Sequence, residues 1–219
     1  MCSGRAKEMA NITMQDNRVI DIIKLVGLDG FFRAPSRKID HCLISALVDR
    51  WRSETHTFHL PHGEMSITLE DVEVIFGLLI DGEVLVGLTA VVDGNWRQLC
   101  EELLVFGVPA NDNKILVGQR ILISRLVKCI AKPLPHGVMK IQIHQYVRCY
   151  ILALLGDKIF MDKSRDRVHL MFLEFLRNFC DPPQYSWGSG CLAWLYRELC
   201  RASDKEVSQI GGALQLVQY

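Results

Sequence analysis

The sequence predicts a mainly α-helical protein, a multi-helix bundle with one small β-hairpin at about residues 55–68. Apolar residues recur at helical spacing through most of the chain, and Gly and Pro separate these segments. One short run rich in Thr, Phe and Ile is instead typical of strands. The apolar fraction of 49% is enough for a sizeable core.

The N-terminal part of the chain is predicted to contain two helices. Residues 1–15 are polar and are expected to form a flexible N-terminus. Residues 18–26 are amphipathic and form the first predicted helix. The second predicted helix, residues 37–52, has Ser36 as its N-cap and Trp51 on its apolar stripe.

Residues 55–68 are predicted to form a hairpin that leads directly into a capped helix. Pro-His-Gly at 61–63 allows the chain to reverse. Thr68 is the predicted N-cap, with a hydroxyl that can accept from the backbone N–H of Asp71, and Gly77 ends the helix. A two-stranded ribbon is marginally stable alone in water, so this one must pack on helices or on a partner.

The rest of the chain is predicted to be helical between short loops. A turn with a brief extended piece occupies residues 80–87, and residues 107–114 form a loop too short to be a domain linker. The predicted helices share apolar residues three and four apart and cover residues 95–104, 119–131, 140–155, 165–179, 186–201 and 210–219. Residues 16–219 are therefore expected to be one domain, truncated at its C-terminus because the last apolar run has no cap.

Charge is balanced overall but unevenly distributed. Lys+Arg and Asp+Glu number 25 each, so net charge favours neither nucleic acid nor membrane as a partner. Residues 64–102 hold nine acids and one base, whereas residues 114–167 hold eleven bases and three acids. Either these regions pair with and solvate each other, or the basic region binds an acidic partner or phosphates. The candidate surface comprises Arg120, Arg125, Lys128, Lys132, Lys140 and Arg148.

The eight cysteines favour a reducing compartment. None is arranged as C-x-x-C, and most lie within apolar helical patterns, where a free thiol behaves as a small apolar group. The sequence starts without an apolar signal region, and no run approaches the roughly 20 apolar residues of a membrane span. We therefore expect an intracellular protein without membrane association.

The histidines at 56, 59 and 62 are the candidate metal ligands. On a helix they would share one face, but the β-branched residues around them and Pro61 favour a strand. In a strand, His56 and His59 point to opposite sides. Solvated or hydrogen-bonded imidazoles are the main interpretation, and a zinc site is the alternative.

No other motif predicts chemistry. The chain has neither a phosphate-binding glycine motif nor a nucleophile elbow. Residues 186–190 (SWGSG) open a predicted helix, where their small side chains allow close packing. No catalytic residue and no cofactor are predicted.

A long stretch of the chain resembles a known family. It is LISALVDRWRSETHTFHLPHGEMSITLEDV at residues 43–72, followed in order by GLLIDGEVLVG, WRQLC, RCYILALLG, DKSRDRVHL and YSWGSGCLAWLYRELCRA. These segments resemble the plant mobile domain, once labelled aminotransferase-like. The resemblance covers roughly residues 17–219, and the family pattern normally continues past the point where this chain stops.

The resemblance implies a biological setting without implying a catalytic site. Such domains occur in plant retroelements and DNA transposons, in host nuclear proteins of the maintenance-of-meristems group, and in long-form relatives of a plant serine/threonine phosphatase. The host proteins are associated with transposon silencing, gene expression and genome stability, and work with a phosphatase-like partner. The family has no established catalytic residues, and no lysine here stands out as a pyridoxal phosphate anchor.

We therefore expect a non-enzymatic protein-interaction module in the nucleus. Its expected partner is a phosphatase-like nuclear protein or a chromatin factor, in transposon silencing and meristem maintenance. One alternative is a nucleic-acid-binding domain of transposon origin that uses the basic side. The other is a metal-dependent enzyme centred on His56, His59 and His62.

Overall fold

The structure is a computed structural model that describes residues 16–34, 38–86, 95–109, 112, 114–162, 164, 166–204 and 209–219. These residues contain nine α-helices and two three-stranded antiparallel sheets. The mainly α class is confirmed, but the expectation of one small hairpin was too simple because a second sheet is present. The predicted flexible segment 1–15 lies outside the described residues, and the single-domain division stays a prediction.

The elements follow in chain order. The helices are α1 (Asn17–Leu25), α2 (Asp29–Arg33), α3 (His41–Val48), α4 (Leu69–Phe76), α5 (Trp96–Leu103), α6 (Ile123–Ile130), α7 (Lys140–Leu154), α8 (Met171–Glu174) and α9 (Trp187–Ala202). The strands are β1 (Trp51–Arg52), β2 (Thr57–Leu60), β3 (Gly63–Met65), β4 (Leu116–Val117), β5 (Arg120–Leu122) and β6 (Arg167–His169). A π-helical turn, Leu155–Ile159, follows α7, and a 3-10 helix spans Leu214–Gln218.

The chain divides into two compact units. The first unit comprises Met1–Val26, Val86–Asp157 and Ser164–Pro183, and the second comprises Gly27–Leu85, Lys158–Lys163 and Gln184–Tyr219. No helix in the described ranges is both long enough and apolar enough to span a membrane.

The first unit is built around α7, which α1, α5, α6 and α8 contact. Ten of its fifteen residues are buried, so the helix contacts protein on nearly every side. The hydroxyl of Tyr146 donates to the carbonyl of Ile130, 2.9 Å away, and joins α7 to α6. The sheet of this unit has the order β4-β5-β6, with Ile121 opposite Val168.

Two helix predictions in the first unit were wrong at their N-terminal ends. The helix predicted for residues 119–131 begins only at Ile123, because residues 120–122 form β5. The helix predicted for residues 165–179 is β6 followed by the single-turn α8. Cross-strand pairing buries Ile121 and Val168 almost completely, and this tertiary contact overrides their helical spacing.

The second unit packs the ribbon β1-β2-β3 and α4 against α9. The predicted cap of α4 is confirmed: the N–H of Asp71 donates to Thr68 Oγ1, and the N–H of Thr68 donates back to the Asp71 carboxylate. Gly77 ends the helix at φ 60°, also as predicted. The start and the end of α4 are thus locally encoded.

Two other predictions in this unit require correction. The helix predicted for residues 37–52 is α3, because Asp40 accepts from the N–H groups of Cys42 and Leu43 and starts the helix there. The proposed cap Ser36 lies outside the described residues. Trp51 belongs to β1 rather than to a helix face. The C-terminal helix predicted from residue 210 is only the 3-10 helix.

Small residues at the start of α9 allow the close packing that the sequence predicts. The hydroxyl of Ser186 donates to the carbonyl of Ile80, 2.6 Å away, and the N–H of Gly188 donates to that of Leu79. A Cβ atom on Gly188 would lie 2.8 Å from the Ile80 side chain. Residues 186–190 therefore serve packing here.

The seven described cysteines are free. Burial raises the pKa of the Cys100, Cys149 and Cys191 thiols to about 12, which keeps them protonated and unreactive at neutral pH. These three thiols are part of the core.

Candidate interaction surfaces

The ribbon of the second unit is fixed by an aromatic cluster. Trp51 and Phe58 are paired across β1 and β2, and their ring centroids lie 4.8 Å apart. Both are buried, and the ring of Tyr196 from α9 lies 5.3 Å from that of Trp51. The indole N–H of Trp51 also faces Cys200 Sγ at 3.3 Å. The base of the ribbon is therefore held by α9.

The hydroxyl of Tyr196 fixes the far side of the same ribbon. It donates to the carbonyl of Ile67 and lies 2.8 Å from Ser66 Oγ. Ser66 Oγ donates in turn to the carbonyl of His56, 2.7 Å away. Tyr196 thus secures the exit of β3, and Ser66 separately ties the same end of the strand to the turn between β1 and β2. The helical spacing of Tyr196 in the sequence does not reveal these hydrogen bonds.

The three candidate metal ligands occupy different surroundings. The exposed His56 has φ 54° and stacks on Tyr196, with ring centroids 5.3 Å apart and planes 9° apart. His59 Nε2 lies 3.2 Å from Glu64 Oε1 on the neighbouring strand. His62 is exposed in the turn between β2 and β3. Across the described ranges, no three His, Cys, Asp or Glu side chains are placed to hold a metal ion.

Two of the residues predicted for the basic surface lie on α6, and a third follows it closely. Arg125 and Lys128 are three residues apart, which places them on one side of α6, and Lys132 follows the end of the helix at Ala131. The Arg125 guanidinium lies over the Phe106 ring, 4.7 Å from its centroid. Lys128 and Lys132 are exposed, and neither forms an ion pair with any residue that the structure describes.

Three further residues were predicted for that surface, and one of them does not belong to it. Arg120 is exposed on β5, and Lys140 is exposed with its Nζ 3.8 Å from Cys180 Sγ. Arg148 is only 5% exposed. It donates to the carbonyls of Leu176 and Arg177 at 2.8 and 2.7 Å.

Arg148 is therefore a structural residue of the first unit. Its guanidinium lies over the Phe179 ring, 4.8 Å from the centroid. Burial lowers its pKa to about 10, so it still carries its charge at neutral pH. A charge that satisfies two carbonyls in the interior is not available to an external partner.

The outer side of α4 is a surface that the sequence interpretation missed. Leu69, Glu70, Glu73 and Val74 are all exposed, and Val74 reaches 78% exposure. Leu69 shares the helical spacing of the buried stripe but is itself exposed, and Val72 and Phe76 alone are buried on this helix. The available signal was Val74, an apolar residue out of phase with that stripe, directly after Glu73 and one helical turn after Glu70.

Comparison with known proteins gives one family. The family model for the plant mobile domain matches residues 27–219. The chain is 42% identical over 192 residues to the serine/threonine-protein phosphatase 7 long form homolog of Arabidopsis thaliana. It is 36% identical over 199 residues to protein MAINTENANCE OF MERISTEMS and 37% identical over 199 residues to protein MAIN-LIKE 1, both from Arabidopsis thaliana.

These matches cover most of the chain but a minority of each relative. They include 88 to 91% of this chain, and only 14%, 40% and 38% of those three relatives respectively. No solved structure matches the chain. The family model extends over both the ribbon and the α6–α7 region. The chain therefore belongs to the plant mobile domain family.

Proposed function

We propose that the chain is a non-enzymatic protein-interaction module that acts in the nucleus, in transposon silencing, control of gene expression and meristem maintenance. Its proposed partner is a phosphatase-like nuclear protein or a chromatin factor. The names of two relatives, one a maintenance-of-meristems protein and one a phosphatase homolog, support this setting. The observation that carries the proposal is the exposed edge of the ribbon.

Of the two edge strands of this sheet, β1 and β3, only β3 is exposed at every residue. In the order β1-β2-β3 it pairs with β2 alone, and all three of its residues are exposed. Met65 is 62% exposed. An edge strand presents main-chain donors and acceptors to an added strand, and neighbouring side chains supply specificity.

The rigidity of this edge favours binding. Tyr196 and Ser66 tie the end of β3 to α9 and to the turn between β1 and β2. A partner strand would therefore meet an edge that is already ordered and would lose less conformational entropy on binding. This arrangement suits recognition of an extended segment of another protein.

The test is a pull-down from plant nuclei with the full chain, with bound proteins identified by mass spectrometry. We expect recovery of phosphatase-like or chromatin proteins, and a loss of about tenfold with Met65→Lys, because a lysine on an edge strand opposes strand addition. Val117→Lys is the matched control, since Val117 is 52% exposed on β4, an edge strand of the other sheet.

Two results would remove the proposal. One is failure of the unaltered chain to enrich any phosphatase-like or chromatin protein over a column without protein. The other is equal loss of partner with Met65→Lys and Val117→Lys, which would show that β3 has no special role.

A second candidate function is nucleic-acid binding through the α6 side. It rests on Arg125 and Lys128 sharing one side of α6, on Lys132 just beyond the helix, and on the absence of ion pairs at the two lysines within the described residues. Phosphate contacts make affinity fall steeply with salt, with a logarithmic slope of about −0.9 per contact on duplex DNA.

The double variant Arg125→Glu/Lys128→Glu tests this function by fluorescence anisotropy with labelled DNA and RNA. We expect weaker binding and a shallower salt dependence, while Lys24→Glu at an exposed position of α1 leaves both unchanged. Unchanged affinity and slope in the double variant would exclude this candidate.

A further inference from the structure

The outer side of α4 combines charge and apolar exposure. We define the acidic face as Leu69, Glu70, Glu73 and Val74. Residues 69 and 73, and 70 and 74, are one helical turn apart, so the four side chains form one patch. Glu70 and Glu73 form no ion pair with any described residue.

The acidic face lies on a well-fixed helix. The reciprocal cap between Thr68 and Asp71 starts α4, and Val72 and Phe76 bury its inner side. Val74 is 78% exposed, so its side chain contributes little to the core of the second unit. An exposed aliphatic residue beside two carboxylates without ion-pair partners among the described residues has the composition of a contact that is completed by another surface.

The last turn of α6, the segment after it and the first turn of α7 carry exposed basic and aliphatic residues. We define the basic end as the five exposed residues Lys128, Lys132, Met139, Lys140 and Ile141. Met139 and Ile141 are 65% and 58% exposed, and they flank Lys140 in sequence. Lys128 and Lys132 have no ion-pair partner among the described residues. The basic end and the acidic face therefore have opposite charges, and both also expose aliphatic side chains.

We propose that the acidic face of one copy of this chain docks on the basic end of a second copy. Carboxylates then face ammonium groups, while Val74 and Leu69 pack against Met139 and Ile141. The second copy is the occupant because its complementary surface is present in the chain itself. The formal net charge of zero also means that two copies do not repel each other as whole molecules.

The contact is head to tail. Each copy contributes its acidic face to one contact and its basic end to another. Association therefore either closes into a ring or continues as an open chain. The contact is also salt-sensitive, because the charges lie on exposed surfaces and are screened within about 10 Å at 0.1 M salt. This inference concerns surfaces other than β3 and does not depend on the partner proposed above.

Analytical ultracentrifugation of the full chain over a wide concentration range at low and high salt tests the proposal. We expect concentration-dependent association that weakens with salt. Glu70→Lys/Glu73→Lys and Lys128→Glu/Lys132→Glu should each weaken it at least about tenfold, because like charges then oppose each other across the contact. Glu54→Lys and Lys24→Glu, reversals at exposed positions outside both surfaces, are the matched controls and should associate normally.

The decisive sample combines all four reversals in one chain. It restores opposite charges across the contact, so association should recover to within about threefold of the unaltered chain. Circular dichroism melts verify that every variant is folded. A folded four-fold variant that stays monomeric while the controls associate would overturn the proposal.

Two other results would also overturn it. The first is an unaltered chain that remains monomeric at every concentration and salt. The second is a chain that associates unchanged when the acidic face is reversed. Binding of DNA by a monomeric chain that loses this binding with Lys128→Glu/Lys132→Glu would reassign the basic end to nucleic acid.

Discussion

The two units of the chain are stabilised in different ways and carry opposite charge. The first surrounds one helix, α7, with apolar contacts, and its described residues hold twelve bases and nine acids. The second fixes a ribbon through the side chains of Trp51, Ser66 and Tyr196, and its described residues hold seven bases and thirteen acids. Both units bury an apolar core, and the second adds a few directed hydrogen bonds between side chain and main chain that fix its ribbon to α9.

This difference tells where each unit tolerates change. In the first unit, removing a methylene group at any buried position of α7 lowers the free energy of unfolding. A ribbon fixed by single hydroxyl groups depends on a few atoms, and the rest of its exposed surface is free to vary with the partner. We therefore expect binding specificity to be concentrated in the second unit.

The largest effect is expected for Ile151→Ala in α7. Ile151 is fully buried, so its truncation should lower the free energy of unfolding by about 2–5 kcal/mol. Ile141→Ala makes the same chemical change in the same helix at 58% exposure and should cost less than about 0.5 kcal/mol. Urea denaturation of both variants measures the difference, and equal losses would show that α7 is not the centre of the first unit.

A smaller effect, and a direct comparison of the units, is expected from removing one hydroxyl in each. Tyr146→Phe leaves the buried carbonyl of Ile130 without its donor and should cost about 1–3 kcal/mol. Tyr196→Phe removes the donor of a part-buried hydrogen bond to the carbonyl of Ile67 and should cost about 0.5–1.5 kcal/mol. Thermal melts of the two variants test the order. A larger loss for Tyr196→Phe would mean that the ribbon contributes more to stability than the core contact.

The smallest expected effect is on pH dependence. Burial, followed by the charges of Arg148 and Lys140, lowers the pKa of His144 below 6.5. Between the folded and unfolded pKa values the unfolded chain binds more protons, so this imidazole stabilises the fold above pH 6.5, and that contribution is lost as pH falls below it. His144→Gln should therefore make the decline in unfolding free energy from pH 7 to pH 5 shallower.

Denaturant titrations at several pH values measure that slope. At pH 8 the imidazole is neutral in both states, so a comparison there isolates any packing effect of the substitution. A slope in the variant as steep as in the unaltered chain would show that His144 does not contribute to it.

Much of the helical structure could be predicted because its signals are local. The cap at Thr68, the stop at Gly77 and the apolar spacing of α5, α7 and α9 each lie within one segment, and each was predicted close to its observed place. The second sheet could not be predicted in this way. Its strands have two or three residues, and β5 pairs with β6 more than forty residues later.

The surfaces were harder to predict than the helices. Arg148 follows the spacing of an outward residue, and nothing local shows that the carbonyls of Leu176 and Arg177 lie beside it. Val74 had a usable signal because it interrupts the acidic side of α4, but its exposure depends on how that helix packs. The side of a helix on which a residue lies can be predicted from the local sequence, but the residues that it contacts cannot.

We propose that α9 holds the ribbon as an ordered recognition edge. Hydrogen exchange at the amide of His59, which donates to the carbonyl of Arg50 at 2.9 Å, measures this order directly. We predict exchange at least about a hundredfold slower than in the unfolded chain, with protection reduced by Tyr196→Phe while that of the α7 amides is retained. Exchange of this amide at the unfolded rate in the unaltered protein would show that the ribbon is not held in an ordered state.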